Sequence, residues 1–223
     1  MKIALTGGIA CGKSLVAKFL RELGFVTLDA DDVVHELEAP GGAAVHAIAS
    51  RFGSSVLSFD GGIDRAKLAE MVFGGDRPRT SAARRDLEAI LHPLVRHRLL
   101  SFVSRPPLSA VCRLPSHTTL NSSLLTLHFP LAVIPLLFES HWESDYDTIL
   151  CVSSAEEVQI DRMMRMRDYT RAQAEARLAA QLPVAEKAAR ADWTIHNDST
   201  VEALKAEVQR CALWLVGRME QNT

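Results

Sequence analysis

The sequence predicts an α/β fold: a central, mostly parallel sheet flanked by helices. Three observations lead there. Residues 2–6, the stretch opening at Lys13 and residues 25–28 read as strand, helix and strand within thirty residues. That is a parallel βαβ unit with a right-handed crossover. Apolar, β-rich runs then recur as LAVIP (131–135), TILCV (148–152) and WTIHN (193–197), alternating with helical segments. Finally, a glycine-rich turn joins the first strand directly to the first helix.

Each element has a local reason. In the first helix Leu15, Val16, Phe19, Leu20 and Leu23 recur at helical spacing, and Gly24 stops it. The second strand ends at Asp29-Ala30-Asp31. Helices are expected over 32–39, 42–52, 65–73 (capped by Asp64) and 81–104. Pro93 should kink the last of these or start a new helix. Two arginine-rich helices follow at 155–167 and 170–181. A final helix starts at Ser199, where Ser199 and Glu202 fit a capping box. The stretch 105–129 has no steady period and reads as a long loop or insertion.

Composition narrows the function classes. The chain has 223 residues, 48% of them hydrophobic and 23% charged, with a formal net charge of −2. This profile belongs to a globular protein and offers no electrostatic reason to expect nucleic acid or an anionic membrane as partner. Six lysines stand against nineteen arginines, and arginine's planar fork suits phosphates and carboxylates. Cys11, Cys112, Cys151 and Cys211 form no CxxC pair, so neither a zinc site nor a disulfide framework is expected. With no export-signal core and no apolar run long enough for a bilayer, a cytoplasmic location is expected.

The opening stretch LTGGIACGKS carries the chemistry. Gly7, Gly12, Lys13 and Ser14 satisfy G-x-x-x-x-G-K-[ST] between a strand and a helix, the context that a phosphate-binding loop requires. Glycines let successive N–H groups turn inward on an anion, and the helix adds its positive end. Lys13 reaches the β- and γ-phosphates, and the Ser14 hydroxyl is suited to Mg²⁺. The nucleotide-binding set is therefore Gly7, Gly8, Ile9, Ala10, Cys11, Gly12, Lys13, Ser14 and Leu15, within a P-loop NTPase fold. Cys11 lies beside Lys13 and a helix N-terminus, which would acidify its thiol. The alternative, which we favour, is a small residue that fits the turn. At the end of the second strand Asp29 and Asp31 fall where open α/β sheets bind ligands. A carboxylate there takes a proton from an attacking hydroxyl or orients Mg²⁺. A helix N-cap is the competing role for Asp31 or Asp32.

Seven segments, LTGGIACGKS, TLDADDVVHE, GGIDRAKLAEMVF, LEAILHPLVR, VIPLLFES, RMMRMRDYTRAQAEARLAAQLP and ADWTIHND, stand in the order found in dephospho-coenzyme A kinases. The chain resembles that family over nearly its whole length, apart from about residues 105–129. The resemblance implies three parts: a nucleotide core (1–31, 131–153 and 190–223), a helical substrate-binding subdomain (32–105) and a lid (154–189), with 106–130 as loop or insertion. It implies transfer of the ATP γ-phosphate to the ribose 3′-hydroxyl of dephospho-coenzyme A, with ATP and Mg²⁺ as cofactors and a monomer or weak homo-oligomer. Asp31 would be the base and, with Ser14, a metal ligand. Lys13 and the lid residue Arg167 would act on the phosphates, with Arg165 as rival and Arg177 in the same cluster. Asn197 would lie at the adenine. His92, Arg96, Pro135, Leu136 and Glu139 would contact the acceptor. Ala10-Cys11 replaces a commoner Gly-Ser pair, and the segment between His92 and Pro135 is longer than the family pattern. The alternatives are another small-metabolite kinase, of nucleoside monophosphate or shikimate type, and an ATP-binding protein that has lost catalysis.

Overall fold

The computed structural model describes residues 1–74, 77–105 and 129–221. The expected insertion at 106–130 falls almost wholly on 106–128, outside the described residues. In chain order the elements are β1 (Ile3–Gly7), α1 (Lys13–Glu22), β2 (Val26–Asp29), α2 (Ala30–Glu38), α3 (Val45–Phe52), α4 (Arg65–Phe73), α5 (Arg77–Val103), β3 (Pro130–Val133) and β4 (Thr148–Ser153). They continue with α6 (Glu156–Arg167), α7 (Arg171–Ala179), α8 (Val184–Ala189), β5 (Trp193–His196) and α9 (Val201–Glu220). The chain divides into two compact units, Met1–Leu28 with Phe102–Thr223, and Asp29–Ser101.

The first unit is organised by a five-stranded sheet of order β2-β3-β1-β4-β5. The β1–β3, β1–β4 and β4–β5 pairings are all parallel, with Leu5 opposite both Val133 and Leu150. The central strands β1 and β3 are buried along their whole length, as continuous apolar runs covered on both faces should be. Val16, Phe19 and Leu20 of α1 pack with Leu204, Val208 and Leu215 of α9 in the same core as Leu5 and Val152. These residues are the apolar stripes of two amphipathic helices.

The final helix corrects the sequence reading. Its N-cap is Thr200, not Ser199: the Thr200 hydroxyl accepts a hydrogen bond from the Ala203 N–H at 3.2 Å. Thr200 has the extended backbone (φ −79°, ψ 162°) that aims its side chain at the third helical amide. Thr200→Ala is expected to lower stability by about 1 kcal/mol and Ser199→Ala by less than about 0.5 kcal/mol. Urea unfolding midpoints of the two variants provide the check.

The second unit is helical. Ile48, Val56, Ile63, Leu68, Val72 and Leu91 form its core. Asp64 caps α4 as expected, its carboxylate accepting from the Lys67 N–H at 3.2 Å. Pro93 starts no new helix and lies inside α5, which is continuous over 27 residues. Proline removes one bond of the ladder. The buried positions Leu91, Val95, Leu99 and Val103, each four apart, hold the helix through it. Glu38 is buried in this unit, and desolvation pushes its carboxyl up, opposed by Arg65 at 3.0 Å.

Candidate active site

The phosphate loop is shaped by two glycines that no other residue could replace without strain. Gly7 has φ +150°, and a Cβ there would lie 2.3 Å from the Val152 carbonyl oxygen of β4. Gly12 has φ +90°, and its Cβ would lie 2.4 Å from Asn197 Nδ2. The loop thus presses against β4 at one end and against the Asn197 side chain, just past β5, at the other. Lys13, in the first turn of α1, folds back over it, with Nζ donating to the Gly7 and Gly8 carbonyls at 3.0 and 2.7 Å. Ser14 is exposed beside it. The loop thus carries an ammonium folded over it and leads into the N-terminus of α1, whose first turn holds the Ser14 hydroxyl, a set of groups suited to a polyphosphate.

Ala10 adopts φ 56°, a left-handed conformation uncommon outside glycine, which gives a physical meaning to the commoner glycine at that position. Arg162 of α6 secures the turn. Its Nη1 donates to the Ala10 carbonyl (3.3 Å) and to Ser154 Oγ (3.0 Å), and its Nη2 donates to the Asn197 carbonyl (2.8 Å). Ser154 Oγ donates in turn to the same Asn197 carbonyl at 2.8 Å. Asn197, following β5, is buried, and its Nδ2 donates to the Cys11 carbonyl at 2.8 Å. The position expected at the adenine thus braces the loop from behind.

Cys11 is fully buried, and desolvation pushes its thiol up, opposed by the Lys13 charge. Burial outweighs the neighbouring cation, which favours the small-residue reading of Cys11 over the acidic thiol, and Cys11 packs within the core. Cys151 is raised to about 12, again chiefly by burial.

The helices α6 and α7 share a small core of Ile160, Met163 and Ala174, against which Ile9, Ala10 and Tyr169 pack. Arg165 pairs with Asp161 at 2.9 Å on the exposed face of α6. Arg177 stacks over the Tyr169 ring, 4.5 Å from its centroid. Arg167 is the last residue of α6, followed by Asp168 in a left-handed cap (φ 53°), and its side chain lies outside the described residues. A cavity of about 720 Å³ lies against Gly8 and Ile9, bounded by Gln159 of α6, Leu178 of α7 and Val184 of α8. Gln159 is buried, donating through Nε2 to the Ser154 carbonyl at 2.9 Å.

Beyond β3, Pro135 is half-buried and Leu136 exposed. Glu139 is engaged within the protein: Oε1 accepts from Lys187 Nζ at 2.6 Å and from the Leu182 N–H at 3.1 Å. In the helical unit, His92 and Arg96 lie one turn apart on α5, both with partners of their own. Asp29 takes the N-cap of α2, its Oδ1 accepting from the Asp31 N–H at 2.9 Å. The cap therefore belongs to Asp29, neither to Asp31 nor to Asp32. The Asp31 side chain is exposed in the first turn.

The structure thus gathers Gly7 to Ser14 and Asn197 into one site in the first unit. Two residues of that unit escaped the sequence reading. Arg162 was hidden among the arginines of 162–177, yet helical spacing from Gln159 and Met163 puts it on the buried side of α6 and Arg165 outside. Lys187 had no local signal: a lysine in a short helix reads as solvated.

The chain matches the family model described as Dephospho-CoA kinase over residues 1–203. It belongs to the dephospho-CoA kinase family. It is 40% identical over 210 residues to the Dephospho-CoA kinase of Anaeromyxobacter dehalogenans, covering 93% of this chain and 89% of that one. It is 37% identical over 208 residues to that of Geobacillus kaustophilus, covering 93% of each. Among solved structures it is similar to TT1252 from Thermus thermophilus, with a TM-score of 0.69, 28% identity and coverage of 96% and 97%. For a dephospho-CoA kinase of this fold, phosphoryl donation by ATP follows, usually with a divalent metal. Among the described residues no helix is long and apolar enough to cross a membrane.

Proposed function

We propose that this chain transfers the γ-phosphoryl group of ATP to the ribose 3′-hydroxyl of dephospho-coenzyme A, yielding ADP and coenzyme A. The observation that carries the reading is the braced phosphate loop, with Lys13 folded over Gly7 and Gly8, in a chain of this family.

Catalysis of phosphoryl transfer is positioning plus charge stabilisation. The loop amides and Lys13 bind the β- and γ-phosphates and offset the charge that builds on them. Asp31 accepts the proton of the 3′-hydroxyl as its oxygen bonds to phosphorus and the bond to the β-phosphate oxygen breaks. Ser14 Oγ and the Asp31 carboxylate are hard oxygen donors, the type that fits Mg²⁺. A bound Mg²⁺ would supply charge neutralisation on the phosphates. Arg167, or its rival Arg165 on the same helix, supplies the guanidinium that closes on the phosphates, with Arg177 in the same cluster. Asn197 holds the loop on the adenine side. His92, Arg96, Pro135 and Leu136 contact the acceptor, with Glu139 at the end of the same segment. The enzyme works in the cytoplasm as a monomer or weak homo-oligomer, with a small molecule and no nucleic acid as partner.

The test is ADP release with ATP and Mg²⁺ in the presence of dephospho-coenzyme A, AMP, shikimate or no acceptor. Turnover with dephospho-coenzyme A alone, and product phosphorylated at the 3′-hydroxyl, is expected. Turnover with AMP or shikimate instead would overturn the acceptor. ATP binding without any turnover would make the chain a degenerate member of its family.

A further inference from the structure

We propose that Lys187 and Glu139 form a positioning pair that sets the acceptor segment 135–139 against the phosphate loop; the inference rests on the reaction proposed above. Lys187 is fully buried on α8. Its Nζ lies 2.6 Å from Glu139 Oε1 and donates to the Pro135 carbonyl at 3.3 Å. The same Pro135 carbonyl accepts from Thr6 Oγ1 at 3.4 Å, and Thr6 directly precedes Gly7. Glu139 Oε1 also accepts from the Leu182 N–H, in the turn between α7 and α8. One polar cluster thus joins three segments: the end of β1 where the phosphate loop begins, the chain leaving β3, and the return from the α6–α7 pair. It stands at the carboxyl ends of the parallel strands, where sheets of this kind bind ligands.

Stability alone does not account for such a cluster. A buried ion pair is often no better than apolar residues of the same volume, because desolvation offsets the attraction. This pair is also incompletely satisfied. Among the described residues Glu139 Oε2 is buried with no hydrogen-bond partner, and the ammonium has two acceptors for its three N–H groups. What the pair provides is geometry. Two charged groups with directional bonds fix the segment carrying Pro135 and Leu136 relative to Thr6 and the loop, without touching the reacting atoms. An error of about 1 Å in the position of a reacting group costs roughly 10²-fold in rate, so a device that removes this error is a positioning device.

The test uses the full chain carrying Lys187→Met, Glu139→Gln, or both, assayed well below each variant's measured Tm. For each single variant kcat/KM for dephospho-coenzyme A is expected to fall roughly 10²-fold, with the calorimetric Kd for ATP within about threefold of the parent. The double variant should lose no more than the worse single one, because both act through one contact. A merely structural pair would lower Tm and leave kcat/KM and the ATP Kd of the folded protein unchanged; that result, or additive losses, overturns the proposal. If Lys187→Met does not fold, Glu139→Gln, which keeps the shape and the acceptor for Leu182, gives the same reading. Failure of the underlying reaction shows separately, as a parent enzyme inactive on dephospho-coenzyme A, and overturns the pair's role with it.

Discussion

Asp31→Asn is expected to lower kcat with dephospho-coenzyme A by roughly 10²–10⁴-fold, the range for a positioned proton acceptor. Asparagine keeps the shape of the side chain and removes both the charge and the basic oxygen. The helix should survive the change. The N-cap of α2 is Asp29, whose carboxylate takes the Asp31 N–H at 2.9 Å, so the Asp31 side chain is not needed to start the helix. ATP affinity, read by calorimetry, should stay within about threefold, because the loop and Lys13 hold the phosphates. Asp29→Ala should behave differently, losing about 0.5–2 kcal/mol of stability through the missing cap. An Asp31→Asn enzyme turning over at the parent rate would remove Asp31 from the mechanism.

Gly7→Ala should have the largest effect on folding. Its Cβ would approach the Val152 carbonyl oxygen to 2.3 Å and the Val152 amide nitrogen to 3.0 Å, both backbone atoms of the paired strand β4. Neither can rotate away. The backbone is also held at φ +150°, which L side chains rarely adopt. Overpacking and strain together are expected to cost about 2–5 kcal/mol, a large part of the stability of an ordinary domain. Urea unfolding and ATP titration should therefore fall together. Gly61→Ala is the control: φ is +87° but no atom lies within 4 Å of the new Cβ, so only the backbone term of about 1–2 kcal/mol remains. Equal losses at the two sites would show that the contact with β4 contributes nothing.

Much of this protein was legible in short stretches of chain. The apolar run before Gly7 became β1, and the helical spacing of Val16, Phe19 and Leu20 became the buried face of α1. Asp64 was readable as a cap because capping is a three-residue interaction. The same locality misled at Ser199, where two adjacent hydroxyls compete and only the backbone angles choose Thr200. The short α8 left no trace, since its six residues bury Lys187 rather than an apolar stripe. At Cys11 the sequence showed the nearby lysine but not the burial that outweighs it.

The sequence by itself determined the α/β class, the phosphate loop and the family, because these depend on residue types at fixed short spacings. The tertiary structure alone decided the strand order β2-β3-β1-β4-β5, and with it which distant residues meet at the loop. Asn197 reaches Cys11 across 186 positions, Arg162 reaches Ala10 across 152, and Lys187 reaches Pro135 across 52. No periodicity encodes such pairs. They form because parallel strands distant in sequence end side by side, where a buried donor must find whichever acceptor the neighbouring segment presents.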